Sequence, residues 1–165
     1  MSESLQESGR LAPNKAAGLE ASRRAVADLD NVALVPDRGA PHHDAVALRP
    51  VSERATLPTV GLPVVERGTE IEIKSCLREH PTQRGRFSFR REQHAVLVDH
   101  AAVYLLVVTA ETPSGREVLA RKLVQATTVD EFLSPDSWVD PGPGRTDHYQ
   151  RRSWVRFFDS SEVDG

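Results

Sequence analysis

The sequence predicts an α/β domain built on a mixed central sheet flanked by helices. Three observations support this fold class: helical spacing of apolar residues near the N-terminus, several short apolar segments typical of strands, and one long apolar segment at 102–110. A segment as continuously apolar as 102–110 is typical of a strand buried on both faces of a sheet. The order of elements is a helix, several strands, a helix, a strand and further strands, which favours a mixed sheet with helical layers.

The first third of the chain predicts a flexible tail, a helix and two strands. The polar segment 1–16 is interpreted as a flexible tail. An amphipathic helix follows at 19–29, where Leu19, Ser22, Val26 and Leu29 recur at helical spacing. A short strand at 32–35 is stopped by Pro36, turn residues follow, and 45–48 continues as a second strand.

The rest of the chain predicts one inserted loop and the remaining elements of a single domain. Segment 50–68 contains three prolines and is interpreted as an insertion, with a short edge strand around 64–65. Later elements are strands at 69–75 and 87–89, a helix at 90–100 with residues 95–98 near its inner face, the buried strand 102–110, a strand or strand-helix at 118–126, and a final strand at 153–158. A single domain is assigned to 17–160, and 161–165 to a second tail.

Composition restricts the classes of protein to consider. At 165 residues the chain fits one domain, and no apolar run approaches the ~20 residues that span a bilayer. The N-terminus lacks the apolar centre of a signal peptide, so a cytoplasmic, intracellular protein without a membrane partner is expected. The single cysteine, Cys76, excludes an internal disulfide and a cysteine-based zinc site.

Charge is unevenly distributed, although the net charge is only −3. Between residues 67 and 94 seven basic side chains stand against four glutamates. Lysine is rare in this chain, with three lysines among 21 basic residues. A lysine inside a predicted buried strand, Lys74, therefore suggests a specific role.

The segment Glu70-Ile71-Glu72-Ile73-Lys74 contains the strongest chemical signal. Side chains alternate along a strand, so Glu72 and Lys74 share one face while Ile71 and Ile73 face the core. A metal-dependent nuclease needs hard oxygen ligands for Mg²⁺ or Mn²⁺ and a group that orients water. Glu72 and the backbone carbonyl of Ile73 can supply two such oxygens, and Asp44 can supply a second carboxylate from a neighbouring strand. Taken alone, Glu-x-Lys in a strand is more often a solvated ion pair, and Asp44 an ordinary turn residue.

A resemblance adds to this interpretation. The segments 39–48 and 70–75, with Asp44 before one apolar strand and Glu72-Ile-Lys74-Ser in the next, resemble the PD-(D/E)XK nuclease superfamily. Within it, the archaeal Holliday-junction resolvases and related archaeal or viral endonucleases look most similar in pattern. The resemblance covers about residues 18 to 126 and implies a restriction-endonuclease-like fold. Two departures are His43 where the motif name has proline, and the inserted 50–68 segment.

The resemblance implies roles for several residues. Asp44 and Glu72 would hold Mg²⁺, for which Mn²⁺ could substitute, and Lys74 would help to activate water. Glu20 matches an extra acidic residue of the resolvase branch, although a solvated helix-start glutamate explains it equally well. Nearby, His42 and His43 are more simply explained as polar surface.

The segment after the motif resembles the strand-to-helix step that approaches DNA in this superfamily. A helix N-terminus with arginines suits phosphate contacts. The candidates are Arg86, Arg90, Arg91 and Gln93, each of which could equally be part of a solvent-facing helix start.

Three functional hypotheses follow. The first is a Mg²⁺-dependent DNA endonuclease of recombination or repair, acting on duplex or branched DNA; a branched substrate favours a symmetric homodimer, since two strands must be cut. The second is a non-catalytic DNA-binding or assembly protein on the same fold. The third is an unrelated α/β domain in which Asp44 lies far from Glu72.

Overall fold

The computed structural model describes residues 32–34, 45–47, 51–52, 59–60, 64–80, 83–145 and 147–164. Several predictions fall outside these residues: the tail 1–16, the helix 19–29 with Glu20, and Asp44 with its two preceding histidines.

The described part of the chain alternates strands with short helices. The strands are β1 (Val32–Leu34), β2 (Ala45–Ala47), β3 (Val51–Ser52), β4 (Thr59–Val60), β5 (Val64–Val65), β6 (Glu70–Leu77), β7 (Glu79–His80), β8 (Gln83–Arg84), β9 (Arg86–Arg90), β10 (Val103–Thr112), β11 (Gly115–Gln125) and β12 (Tyr149–Ser153). The helices are α1 (Arg91–Asp99), α2 (Ala126–Asp130), a 3-10 turn (Trp154–Arg156) and α3 (Ser160–Asp164).

A mixed sheet in the order β1-β2-β6-β10-β11-β4 forms the centre of the described structure. The pairs β6/β10 and β11/β4 are parallel, and the other neighbours are antiparallel. The crossover from β6 to β10 contains β9 and α1, which lie on one side of the sheet. The predicted α/β class with a mixed central sheet is therefore confirmed.

Two apolar layers cover the two faces of this sheet. On one face, Ile71 and Ile73 pack with residues of β2, β10 and β11. On the other face, Tyr104, Leu106 and Val108 of β10 pack against β9, α1, α2 and the C-terminal segment. Strand β10 is thus buried on both faces, as its continuous apolar sequence predicts.

Helix α1 faces the sheet only in part through the predicted residues 95–98: Leu97 is buried as expected, and Gln93 and His94 are buried in addition. Gln93, His94 and Leu97 are buried, whereas Ala95 is exposed. The prediction of 95–98 followed hydrophobicity alone. Hydrogen bonds to Lys74 and Tyr104 offset the cost of burying the polar side chains of Gln93 and His94. These hydrogen bonds determine which side of the helix faces the sheet.

The final strand is earlier than predicted. The predicted strand at 153–158 was wrong: β12 spans Tyr149–Ser153 and pairs with β9, and a 3-10 turn follows at Trp154. Aromatic residues favour strands in general. Here, however, the Trp154 indole donates a hydrogen bond to the Arg78 carbonyl (2.8 Å), and Phe158 turns into the core.

The last residues also differ from the predicted tail 161–165, because α3 covers Ser160–Asp164 and buries Val163. Within the predicted insertion 50–68, the expected short strand at 64–65 is β5, and it pairs with β3. Strand β4 of the same segment extends the edge of the main sheet. Among the described residues, no helix is both long and apolar enough to cross a membrane.

Gly85, between β8 and β9, lies where the backbone passes close to the end of β6. A Cβ atom at this position would lie 1.6 Å from the carbonyl oxygen of Leu77. Its amide donates to the Arg78 carbonyl (3.2 Å) and its carbonyl accepts from the Trp154 amide (3.2 Å). Glycine therefore allows β9 to begin directly against the end of β6.

Candidate active site

Strand β6 brings Glu72 and Lys74 to the same face of the central sheet. Ile71 and Ile73 alternate with them and enter the apolar layer on the opposite face. The Lys74 Nζ lies 3.6 Å from Glu72 Oε1. The expectation that these two side chains project together, with both isoleucines in the core, is confirmed.

Both charged side chains are largely withdrawn from water. Glu72 is 6% exposed, and the Lys74 side chain is 15% exposed. A buried carboxylate is costly unless an opposite charge or hydrogen-bond donors compensate it, and the Lys74 ammonium supplies the former. This burial sets the pair apart from the solvated ion pair that Glu-x-Lys usually forms.

Helix α1 adds Gln93 to the site. The Lys74 ammonium donates a hydrogen bond of 3.0 Å to Gln93 Oε1, and Gln93 is only 4% exposed. The sequence predicted Gln93 as a DNA contact on an exposed helix start. The structure instead puts its amide beside Lys74, where it can fix the direction of the ammonium group.

Tyr104 lies beside Glu72, because parallel β10 pairs with β6 in a register that matches these two residues. The Tyr104 hydroxyl is 2.8 Å from His94 Nδ1, and His94 Nε2 is 2.9 Å from Asp130 Oδ1. If the Asp130 carboxylate accepts a hydrogen bond from the Nε2–H of a neutral ring, Nδ1 accepts a hydrogen bond from the Tyr104 hydroxyl. This chain of hydrogen bonds connects α1, α2 and β10 next to Glu72.

Burial dominates the electrostatics of Tyr104. Removal from water raises the pKa of its hydroxyl well above the usual range, and the negative charge of Glu72 raises it further, while Arg90 opposes the shift. The phenol is therefore a neutral hydrogen-bond donor beside Glu72 at physiological pH.

Sequence reasoning missed Tyr104, His94 and Asp130. One signal was available: Tyr104 is the hydroxyl-bearing aromatic residue in an otherwise apolar segment. A buried tyrosine hydroxyl usually has a hydrogen-bond partner, so its position predicted a polar neighbour in the layer above.

The other predicted residues fall into separate groups. Arg86, Arg90 and Arg91 are exposed, on β9 and at the start of α1. Because the Ile73 side chain is in the core, only its backbone could contribute to a site on the Glu72 face. Cys76 is buried as expected, and burial raises the pKa of its thiol to about 12.

The described residues provide only part of a site for the predicted divalent metal. Glu72 is the kind of hard oxygen ligand that Mg²⁺ prefers. Within the described ranges, no group of three or more histidine, cysteine, aspartate or glutamate side chains could hold a metal ion. The predicted partner carboxylate, Asp44, and the extra acidic residue, Glu20, both lie outside those ranges.

Comparison with known proteins adds one finding. A model of the PD-(D/E)XK nuclease superfamily domain matches residues 8–159. No curated protein and no solved structure matches the chain. The mixed sheet flanked by helices is consistent with the restriction-endonuclease-like fold of this superfamily, and the comparisons do not extend to the archaeal resolvase branch. Since the match spans most of the sequence and includes the buried Glu72-Ile73-Lys74 of β6, the chain belongs to the PD-(D/E)XK nuclease superfamily.

Proposed function

We propose that this protein is a metal-dependent endonuclease that hydrolyses phosphodiester bonds of DNA. The observation that carries the proposal is the buried pair of Glu72 and Lys74, 3.6 Å apart on one face of the central sheet. These residues form the (D/E)XK of the superfamily's name. A buried salt bridge such as this one often adds little to the stability of the folded state. A carboxylate next to an ammonium group, in contrast, suits phosphoryl-transfer chemistry.

Asp44 is proposed as the second acidic ligand. It directly precedes Ala45 in the sequence, and Ala45 pairs with Ile71, the residue before Glu72. Successive Cα atoms are only about 3.8 Å apart. The described pairing of β2 with β6 therefore supports a role for Asp44 close to Glu72.

In the proposed mechanism, Asp44, Glu72 and the Ile73 carbonyl would hold Mg²⁺, for which Mn²⁺ could substitute. The bound ion supplies Lewis-acid polarisation of the phosphate and of the attacking water. The water oxygen would form a new bond to phosphorus while the bond from phosphorus to the O3′ oxygen breaks; the water gives up a proton to solvent and O3′ takes one from solvent, leaving a 5′-phosphate and a 3′-hydroxyl. Lys74, as an ammonium, only donates hydrogen bonds, so it orients the water or the phosphate oxygen and does not act as a base.

Structure-specific cutting of a four-way junction, in the manner of a resolvase, is the finer form of this proposal. Such a substrate needs two symmetric incisions, which a homodimer provides. Light scattering of the protein alone and bound to a junction measures the number of subunits.

The test is cleavage of labelled four-way junction, fork, linear duplex and single-stranded DNA with Mg²⁺, Mn²⁺ or EDTA. Removing a ligand or a water-orienting group typically costs two or more orders of magnitude in rate, so Glu72→Gln and Lys74→Met should each cut at least about 100-fold more slowly. Glu117→Gln, which removes the charge of an exposed glutamate on β11, is the matched control and should cut normally.

Two results would overturn the proposal. One is DNA binding without cutting under any metal, which would favour a non-catalytic DNA-binding or assembly protein. The other is the absence of any Mg²⁺-dependent rise in melting temperature in the wild type. If the Glu72→Gln protein does not fold, DNA cutting and the Mg²⁺-dependent rise in melting temperature are measured in Asp44→Asn, which changes the second proposed ligand.

A further inference from the structure

Arginine side chains gather on the outer face of the ribbon that β9 and β12 form. Along β9, Phe87 and Phe89 enter the core, so Arg86 and Arg90 face outward. The antiparallel register with β12 sets the exposed Arg151 opposite Ser88, which lies between those two arginines.

Two neighbouring cavities follow this face and share Arg151 as a wall. Their volumes are about 370 Å³ and about 260 Å³. Together they form a surface that we call the arginine groove, defined by its five arginines: Arg84, Arg86, Arg90, Arg145 and Arg151. The acidic residue of its lining, Asp147, accepts a hydrogen bond from the Glu92 amide (3.0 Å) at the start of α1.

Among the described residues the groove keeps a net positive charge, because its lining has five arginines and the single carboxylate of Asp147. None of its five arginines has a carboxylate within ion-pair distance there, whereas Arg78 pairs with Asp164 and Lys122 with Glu162. Like charges that face each other on one side of a sheet repel. A row of unneutralised guanidinium groups therefore favours an extended polyanion over a single small anion.

An aromatic ring adds affinity for bases. Tyr149 lines the larger cavity, and the Arg151 guanidinium lies 5.0 Å from the centroid of its ring. Arginines together with an aromatic side chain are the features with which proteins hold single-stranded nucleic acid, through backbone charge and base stacking.

The groove also adjoins the candidate active site. Arg90 directly precedes α1, and Gln93, less than one helical turn further on, bonds to Lys74. We propose that the arginine groove binds a single-stranded segment of the substrate next to the cut phosphate. This inference rests on the proposed function, and it assigns residues 141–145 and strand β12 as the second wall of the substrate site.

The test measures binding of a fluorescein-labelled single-stranded oligonucleotide in EDTA, where no cutting occurs. Each lost phosphate contact reduces the salt slope of the logarithm of affinity by about 0.7. The double variant Arg145→Gln/Arg151→Gln should therefore bind about tenfold more weakly, with a slope smaller by about 1.4. Arg67→Gln/Arg156→Gln removes two exposed arginines outside the groove, and should bind as the wild type does.

A second variant separates base stacking from charge. Tyr149→Ala should weaken binding of the oligonucleotide and leave binding of inorganic polyphosphate, which has no bases, unchanged. Equal losses of oligonucleotide affinity in the groove and control double variants would overturn the proposed binding role of the groove. Equal Tyr149→Ala effects on both probes, or tighter binding of duplex that is insensitive to Tyr149, would overturn the single-stranded assignment. Because the readout is binding in EDTA and no cutting is measured, failure of the groove and failure of the nuclease are distinguishable.

Discussion

Lys74 is the residue on which the candidate site is centred, because it contacts side chains from two elements. Its ammonium lies near Glu72 on its own strand and donates to Gln93 on α1. A flexible lysine held in this way loses conformational freedom before substrate arrives, which is the usual requirement for a group that orients a reactant. We therefore predict that Gln93 acts as a positioning residue rather than as a DNA contact.

Replacing Gln93 with methionine tests this assignment. A hydrogen bond to a charged group contributes about 1.5–3 kcal/mol, so loss of the acceptor should lower the rate of DNA cutting by about one to two orders of magnitude, with DNA affinity nearly unchanged. Single-turnover cleavage and binding in EDTA measure the two quantities. Gln93→Asn keeps an amide and should recover part of the rate. Loss of affinity without loss of rate would restore the sequence-based interpretation of Gln93 as a DNA contact.

Sequence predicted the strand residues of the site better than the helix residues. The alternation of Glu72 and Lys74 with two isoleucines is a local property of one strand, so it can be read from the sequence. Which side of α1 is buried depends instead on partners 10 to 36 residues away, such as Tyr104 and Asp130. Hydrophobicity favoured Ala95, and the buried hydrogen bonds of Gln93 and His94 overrode it.

Strand β9 depends on the glycine that directly precedes it, Gly85. Gly85 lets the chain pass against the Leu77 carbonyl, and the Gly85 carbonyl accepts a hydrogen bond from the Trp154 amide. The end of β6, the start of β9 and the 3-10 turn are thereby joined through backbone hydrogen bonds. No alternation in the sequence predicts this junction, because it is made by main-chain atoms distant in sequence.

Gly85→Ala should be severely destabilising. The added Cβ would meet a carbonyl oxygen at 1.6 Å, so the backbone must move, and we expect a loss of about 3 kcal/mol or more in the free energy of unfolding. Urea denaturation followed by circular dichroism measures it. Ser88→Ala, an exposed change on the same strand, should stay within about 0.5 kcal/mol of the wild type. A stable Gly85→Ala protein would show that this junction is not tight.

At the scale of the whole molecule, a buried lysine attaches the C-terminal helix to the sheet. Lys122 on β11 donates to the Phe157 carbonyl (3.1 Å), lies 2.9 Å from Glu162 Oε2 on α3, and sits 4.9 Å from the centroid of the Phe158 ring. The three contacts explain why residues 160–164 form a helix on the core instead of the predicted tail.

This attachment predicts an acid dependence of stability. The hydrogen bond from Lys122 holds the pKa of Glu162 below its usual range, so the folded state favours the carboxylate. The stabilisation is present above the unfolded pKa of about 4.3 and is lost as pH falls through the lower folded pKa. Urea denaturation from pH 6 to about pH 3 should therefore show a steeper decline for the wild type than for Glu162→Gln. Parallel curves would contradict the assignment.

The fold class was predictable from sequence, whereas the path of the C-terminal segment was not. Strands β6 and β10 have clear apolar patterns, and they specify the centre of the sheet. Strand β12 (Tyr149–Ser153) buries only Gln150 fully, so it has no apolar period. Its place is set by pairing with a strand far away in the sequence, and a single-sequence pattern does not encode such a pairing.

The pairing of β12 with β9 has a consequence for how the protein is made. About 60 residues separate the two strands, and ribosomes add roughly 5–20 residues per second, so β9 waits several seconds for its partner. During that time the ribbon, the arginine groove and the cover over Phe87 and Phe89 are incomplete. A nascent chain therefore contains Glu72-Ile73-Lys74 well before its arginine groove can form, because the groove requires strand β12.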